Sequence, residues 1–238
     1  METFVPERAP LVVLGFLGTG FALGLACLGL LYALVSQKLA LARRVVAAAV
    51  ALAGLYGGLL LAFSLASSEK TLGAGQWKYF CEVDCHLAYT ITGVSTAKNL
   101  GAGEAAAAAQ GTFYAVTVKT WFDQDTISRR RGDGILHPNL RMARVVDSRG
   151  RRYPPSLPGQ RALDLPAGKL IPLDQPLRPG ESYETTLVFD VPADAQNPRL
   201  FLTDPLPLNW LLIGHENSFF HKRVYFGLEP RPAVGQAN

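Results

Sequence analysis

Two thiols and an imidazole fall within six residues in the run Trp77-Lys78-Tyr79-Phe80-Cys81-Glu82-Val83-Asp84-Cys85-His86. Soft thiolate with imidazole suits copper or zinc, so Cys81, Cys85 and His86 form a candidate metal site. Their spacing decides whether that chemistry is within reach. In an extended strand each residue advances about 3.3 Å, which leaves Cys81 and Cys85 on one face but about 13 Å apart. At that separation they neither bond to each other, which needs Cα atoms within about 7 Å, nor share one ion. A turn at Glu82-Val83-Asp84 brings them together and opens both outcomes. In an oxidising compartment the simpler one is a disulfide between Cys81 and Cys85 that staples the turn, with a copper, zinc or thiol-redox site as the alternative.

A second cluster, His215-Glu216-Asn217-Ser218-Phe219-Phe220-His221-Lys222, lies near the C-terminus. His215 and His221 complete a mixed Cys/His pocket if the final strand pairs beside the first. Otherwise His215 bonds a loop carbonyl and His221 stands exposed beside Lys222, the reading the spacing favours. It is not the His-Glu-x-x-His of helical zinc proteases, and the chain holds no Ser-His-Asp order, phosphate-binding glycine loop or nucleotide fingerprint. These residues lean away from an enzyme. His137, before Pro138, reads as a solvated loop residue.

The elements that must position these groups begin in two apolar stretches, Leu11 to Val35 and Val45 to Ala66. A helix needs roughly 20 mainly apolar residues to cross a hydrocarbon core of about 30 Å, and each stretch is long enough. Neither carries Asp, Glu, Lys or Arg inside its core, where a charge costs about 2.5 to 3.5 kcal/mol. Residues 1–67 are therefore predicted to hold two transmembrane helices, about 11–35 and 45–66, and residues 68–238 one further domain. Lys38, Arg43 and Arg44 lie between the spans, while the N-terminal flank Glu2, Glu7 and Arg8 is not basic. Basic short loops stay cytoplasmic, so both termini and the C-terminal domain are expected on the extracytoplasmic side of the cell membrane. A cleaved signal peptide fits less well, because it expects a basic start and an apolar core of only about 7 to 15 residues.

Gly20 and Gly24 in the first span and Gly54 and Gly58 in the second have the small-xxx-small spacing that lets helix backbones approach. The plain expectation is packing of the two helices on each other, and the sharper one is association with another membrane protein. Cys27, inside the first span, reads as a small apolar packing residue.

Beyond residue 67 the pattern is all-β. Runs rich in β-branched and aromatic residues recur, each bounded by Pro, Gly, Asn or Asp: Trp77 to Val94, Thr112 to Phe122, Met142 to Asp147, Ser182 to Val191, Arg199 to Thr203 and Lys222 to Leu228. In the second run Tyr114, Val116, Val118, Thr120 and Phe122 share one uncharged face, which is expected to look inward. Ala105 to Ala109 reads as a loop or short helical turn.

The order Phe113 to Trp121, Val145-Val146-Asp147-Ser148-Arg149-Gly150-Arg151-Arg152-Tyr153, Leu177-Arg178-Pro179-Gly180-Glu181 and Leu187-Val188-Phe189-Asp190-Val191-Pro192 resembles the telokin-like family of bacterial extracellular immunoglobulin-like domains. That family has a strand ending in Asp-x-x-Gly-x-x-Tyr, a Pro-Gly-Glu turn and a Phe-Asp-x-Pro strand. The match covers roughly residues 110–203 and implies an immunoglobulin-like β-sandwich, a fold that mostly serves binding or spacing and does not dictate activity. Arg129 to Asp133 and Pro154 to Pro172 fall outside the pattern and are expected to be long loops. The Cys-x-x-x-Cys spacing behind two spans is also similar to the dinuclear copper domain of cytochrome oxidase subunit II. This chain has Tyr89 where that family has its second His and Thr92 where it has Met, and its cysteines lie at the start of the domain.

A net charge of +4 is modest, and the basic runs Arg129 to Arg131 and Arg149 to Arg152 have Asp123, Asp125, Asp133 and Asp147 close by. Mixed loops of this kind stay solvated, and no nucleic-acid partner is expected. The expectation is a membrane-anchored, non-enzymatic binding or assembly module that works with a membrane-protein partner. A metal-binding or thiol-redox protein is the alternative.

Overall fold

The structure, a computed structural model, describes residues 9–80, 86–103, 106–125, 133–167 and 172–229. The chain divides into two compact units, one comprising Arg8–Glu69 with Leu206–Arg223 and the other Lys70–Pro205 with the chain from Val224. Residues 206–223, counted with the sandwich on sequence grounds, thus group with the helices.

In the helical unit, α1 (Ala9–Val35) and α2 (Leu39–Leu65) have 27 residues each. At 1.5 Å per residue each is about 40 Å long, so both are candidate membrane spans by length and composition. The second helix begins earlier than its apolar run, because Leu39-Ala40-Leu41-Ala42 are strong helix formers and carry Arg43 and Arg44 into its first turns. Only Ser36 to Lys38 turn the chain. Gln37 takes a positive φ of 55°, and Lys38 N donates to the Ala33 carbonyl at 2.7 Å. Ala33 and Ala42 are buried beside this turn, and Phe16 meets Tyr56 at 6.5 Å between ring centroids.

The β unit contains nine strands: β1 (Lys70–Leu72), β2 (Lys78–Phe80), β3 (Leu87–Leu100), β4 (Ala107–Phe122), β5 (Met142–Val146), β6 (Arg152–Tyr153), β7 (Ser182–Val191), β8 (Arg199–Thr203) and β9 (Val224–Gly227). They form a five-stranded sheet, β1-β9-β8-β5-β6, and a four-stranded sheet, β2-β3-β4-β7. One hydrophobic cluster joins the two: Tyr89, Ile91, Val116, Val118, Phe122 and Phe189 from the smaller sheet pack with Val145, Leu200, Leu202 and Phe226 from the larger. The unit is therefore a β-sandwich. On the face expected to look inward, Val116, Val118, Thr120 and Phe122 are each at most 1% exposed, and Tyr114 packs partly buried against the same core. The alanine patch is different, because from Ala107 it is strand, with Ala107 paired to Leu100 and Ala108 to Asn99.

The stretch from Pro154 to Pro172 is not simply a loop, because it contains α3 (Leu157–Ala167). Pro158 falls in the first helical turn, where a missing N–H costs nothing. Gly159 lies so close to β4 and β7 that an added Cβ would stand 2.6 Å from Val188 and 3.0 Å from Phe113. Strand β7 is a sheet edge, and Gln160 covers it: its Nε2 donates to the Thr186 carbonyl and its Oε1 accepts from Val188 N, both at 3.0 Å. An exposed edge invites pairing with other chains, and this side chain stands in for a strand.

The residues behind the family resemblance hold turns. Asp147 accepts from Arg149 N, Arg151 N, Arg151 Nε and the Tyr153 hydroxyl at 2.7 to 3.1 Å, around Gly150 at φ 78°. Gly180, at φ 81°, opens the turn into β7, where Glu181 accepts from Arg178 N at 2.8 Å. Asp190 accepts from Gln110 N and Gly111 N at 2.8 and 2.9 Å, fixing the start of β4 against the end of β7.

Candidate functional site

Strand β2 leads directly into the cysteine segment and concentrates titratable side chains. All three of its residues are buried. Alternation along the strand separates them by face. Lys78 and Phe80 turn toward the other sheet, and Tyr79 turns away from it. The Lys78 ammonium donates to the Leu202 carbonyl at 2.7 Å and to the Val224 carbonyl at 3.2 Å. It also lies 5.0 Å from the centre of the Phe80 ring and 5.4 Å from that of Phe201. The β8–β9 ladder pairs Arg199 with Gly227 and Leu200 with Phe226, and the same register carried two residues further would set Leu202 opposite Val224. Lys78 enters where that ladder stops, so a charge from one sheet bonds two strands of the other.

Beside it, Arg141 pairs with Asp204 at 3.1 Å, with side chains 3% and 1% exposed. The guanidinium stacks over Phe80 at 4.3 Å. Phe80 meets Tyr89 edge-on at 5.3 Å, and the Tyr89 hydroxyl donates to the Leu173 carbonyl at 3.1 Å. Burial pushes the Tyr89 phenol well above its ordinary range, against the opposing pull of Arg141, so it remains a donor.

On the other face of β2 the Tyr79 hydroxyl donates to the Asp123 carboxylate at 2.6 Å. Burial, and then Asp123 itself, hold this phenol far above its usual range. Asp123 also caps its own turn by accepting from Asp125 N at 2.9 Å. His86 is 1% exposed, and its Nδ1 donates to the Asp123 carbonyl at 2.6 Å. Its ring meets that of Phe122 at a tilt of 53°, with centroids 5.4 Å apart. A neutral His86 thus carries its lone pair on Nε2, the arrangement a metal-ligating histidine adopts.

Cys81 and Cys85 lie outside the described residues, and with them both the disulfide and the thiolate ligands. His86 belongs to the β unit, whereas His215 and His221 belong to the helical unit. His215 accepts from Asn217 N at 3.1 Å, and His221 Nδ1 donates to the Lys222 carbonyl at 2.6 Å. Among the described residues no three His, Cys, Asp or Glu side chains gather closely enough to hold a metal ion. Cys27 is exposed on α1 rather than packed within the helix pair.

Sequence reasoning passed over Lys78, Tyr79, Asp123, Arg141 and Asp204. The signal that could have found them is a lysine inside an aromatic run, Trp77-Lys78-Tyr79-Phe80, where a solvated face is hard to supply. Chemically, the ammonium, guanidinium and phenols donate into carbonyls and carboxylates of neighbouring segments, which is cohesion between strands.

No family model and no curated protein matches the chain. Among solved structures it is similar to a secreted protein from Mycobacterium tuberculosis at 10% identity, covering 68% of this chain and 99% of that one with a TM-score of 0.41. It is also similar to an uncharacterised β-sandwich protein from Clostridium difficile, at 10% identity over 68% and 96% of the two chains with a TM-score of 0.36. A conserved hypothetical protein from Bacillus anthracis shares 13% identity over 50% and 81%, with a TM-score of 0.37. Nothing about this chain's role follows from these likenesses.

Proposed function

We propose that this chain is an accessory subunit of a membrane complex: α1 and α2 cross the bilayer and assemble with another membrane protein, and they tether an extracytoplasmic β-sandwich that serves as a binding or assembly module without catalysis. The observation that carries this reading is the set of open glycines on the helices. Among the described residues nothing beyond the helix's own adjacent backbone lies within 4 Å of a Cβ built at Gly20, Gly24, Gly54 or Gly58, so these small-xxx-small faces are not where α1 meets α2. Such faces let a partner helix approach closely, where dispersion and weak backbone contacts replace the absent hydrophobic drive. One span would suffice for tethering. The strand order β9-β8-β5-β6 opposite β3-β4-β7 supports an immunoglobulin-like, telokin-like assignment of the sandwich, since it follows the GFC and ABE sheets of that fold.

The test is in-cell crosslinking followed by sizing of the detergent-solubilised full chain, native against Gly20→Leu with Gly24→Leu and against Gly54→Leu with Gly58→Leu. Loss of the crosslinked species in one pair, with unfolding of the sandwich unchanged, is the expected result. Identical crosslinking in all three proteins would refute the reading.

A second reading is a copper, zinc or thiol-redox site at Cys81, Cys85 and His86, favoured by the hydrogen bond that fixes the His86 tautomer. Metal content and free-thiol count on the chelator-free full chain decide it. Stoichiometric metal lost on Cys81→Ser with Cys85→Ser supports the site, and no metal with neither thiol free supports the disulfide staple.

A further inference from the structure

The segment Leu206–Arg223 is built inside out. Its polar side chains Asn209, Glu216 and Ser218 are buried, while Leu208, Trp210, Phe219 and Phe220 are exposed, Leu208 by 59% and Phe220 by 72%. A loop facing water sorts these residue types the other way, and a cluster of large exposed apolar side chains marks a contact surface. The two arms of the segment join through the Trp210 and Phe219 rings, whose centroids are 6.1 Å apart. Several of its backbone amides bond within the segment. After the 3-10 turn Pro207–Leu211, His215 N donates to Leu212, Ser218 N to His215 and His221 N to Ser218. The Ser218 hydroxyl donates to the Leu212 carbonyl. Internal satisfaction of backbone groups is what a surrounding without water demands.

Two hydrogen bonds fix the segment along α2. The Tyr56 hydroxyl donates to the Leu211 carbonyl at 2.7 Å, and Lys222 N donates to the Ser67 hydroxyl at 2.8 Å. Tyr56 stands roughly 14 Å of rise before Leu65, the last residue of α2, and Ser67 lies just past that end, so the segment runs beside the helix pair from its C-terminal end downward. If α2 spans a core of about 30 Å from Arg44 onward, Leu211 stands at hydrocarbon depth and Lys222 at its edge.

We propose that Leu206–Phe220 is a third membrane contact, which inserts Leu208, Trp210, Phe219 and Phe220 into the leaflet at the C-terminal end of α2 and leaves Lys222 and Arg223 at headgroup level. The occupant of the apolar face is lipid. The face is continuous with two candidate spans, its polar groups are turned inward, and a tryptophan followed by cations is the composition of a membrane boundary. Phe220 holds a φ of 64°, a conformation uncommon for a bulky side chain, and that backbone presents its ring outward. The proposal rests on the reading that α1 and α2 cross the bilayer.

The experiment uses the full chain in lipid nanodiscs with Trp77→Phe and Trp121→Phe, so that Trp210 is the sole emitter. The expected result is loss of most Trp210 emission with lipids brominated on the acyl chain and little loss with aqueous iodide. A second protein lacking Trp210 and carrying Phe220→Trp repeats the measurement should the first fail to fold. A third, with all native tryptophans replaced and Leu25→Trp, reports on α1. Quenching at Leu25→Trp but not at Trp210 or Phe220→Trp overturns the proposal and leaves the spans standing. Absence of quenching at all three positions overturns the spans and the proposal together. Shielding of Trp210 from both quenchers means that protein covers the face, and this too overturns it.

Discussion

Lys78 offers the sharpest test of how the sandwich is held together. Changing Lys78→Met keeps an unbranched chain of similar length and removes only the ammonium. The Leu202 and Val224 carbonyls, both on buried residues, then lose this donor. Each carbonyl deprived of a buried partner costs about 1 to 3 kcal/mol. Relief from burying a charge returns part of that, since desolvating an ion carries a penalty of several kcal/mol that hydrogen bonds only partly offset. The net expectation is a loss of about 2 to 4 kcal/mol, a large share of the roughly 5 to 15 kcal/mol that stabilises a domain. For a unit of this size the melting temperature should fall by about 5 to 15 °C. Trp77 and Trp121, with ring centroids 5.2 Å apart, provide the readout, so urea and thermal unfolding are followed by fluorescence in a Trp210→Phe background. A Met variant as stable as its parent, or more stable, would refute the view that the ammonium bridges the sheets.

Gly111→Ala should destabilise the sandwich by about 3 kcal/mol or more, because the new Cβ would stand 2.1 Å from the Val191 carbonyl oxygen and 2.6 Å from the Pro192 backbone, neither of which is a side chain able to swing away. Denaturant melts of the variant check this. The Asp147 turn predicts acid sensitivity of a definite sign. Burial acts to raise the Asp147 carboxyl, but the hydrogen bonds from Arg151 and Tyr153 outweigh it and hold the group below its ordinary range. Asp194 is likewise held low, first by its hydrogen bond from Arg151. The folded state therefore binds these protons less readily than the unfolded chain. The stabilisation is complete above the unfolded value of about 4 and disappears as pH falls through the lower folded values. Stability of native protein and Asp147→Asn, measured from pH 7 down to 2, should converge on acidification, and parallel curves would count against it.

Much of the architecture was legible in the residues themselves. The inward face of β4 follows from where charge is missing, and the turn at Gly180 from the Pro-Gly-Glu pattern of the family resemblance. The helix α3 was hidden, because Pro158, Gly159 and Pro166 read as breakers, whereas its stability comes from contacts no local pattern records: Gln160 on the edge of β7 and Gly159 against Val188. Lys78, Arg141 and Asp204 were missed for a related reason. Alternation assigns charged residues to water, yet here charges face the core and find carbonyls and one another. In the Leu206–Arg223 segment the histidines stand out in sequence, while the telling feature is which side chains are covered, and burial is not a property of sequence order. The glycine spacing of α1 and α2 is plain in sequence, but the plain expectation that these glycines join the two helices fails, because which face a helix turns to its neighbour is set by packing: Gly29 lies near Val45, whereas Gly20, Gly24, Gly54 and Gly58 stand open.

The pairing of β1 with β9 has a consequence in time. These strands run parallel, with Lys70 opposite Val224, so the first strand of the sandwich and its last are partners across about 150 residues of chain. Contacts this distant form late, since the intervening loop must be ordered before they repay its entropy. During synthesis β1 emerges soon after α2, while the open flank of β8 waits for the final strand. Until residue 227 has been made, the nascent domain carries unpaired strand edges of the kind that aggregate. A chain stopped before β9 would therefore be more than a shortened protein: it would be a fragment unable to close its larger sheet and open to quality-control proteolysis.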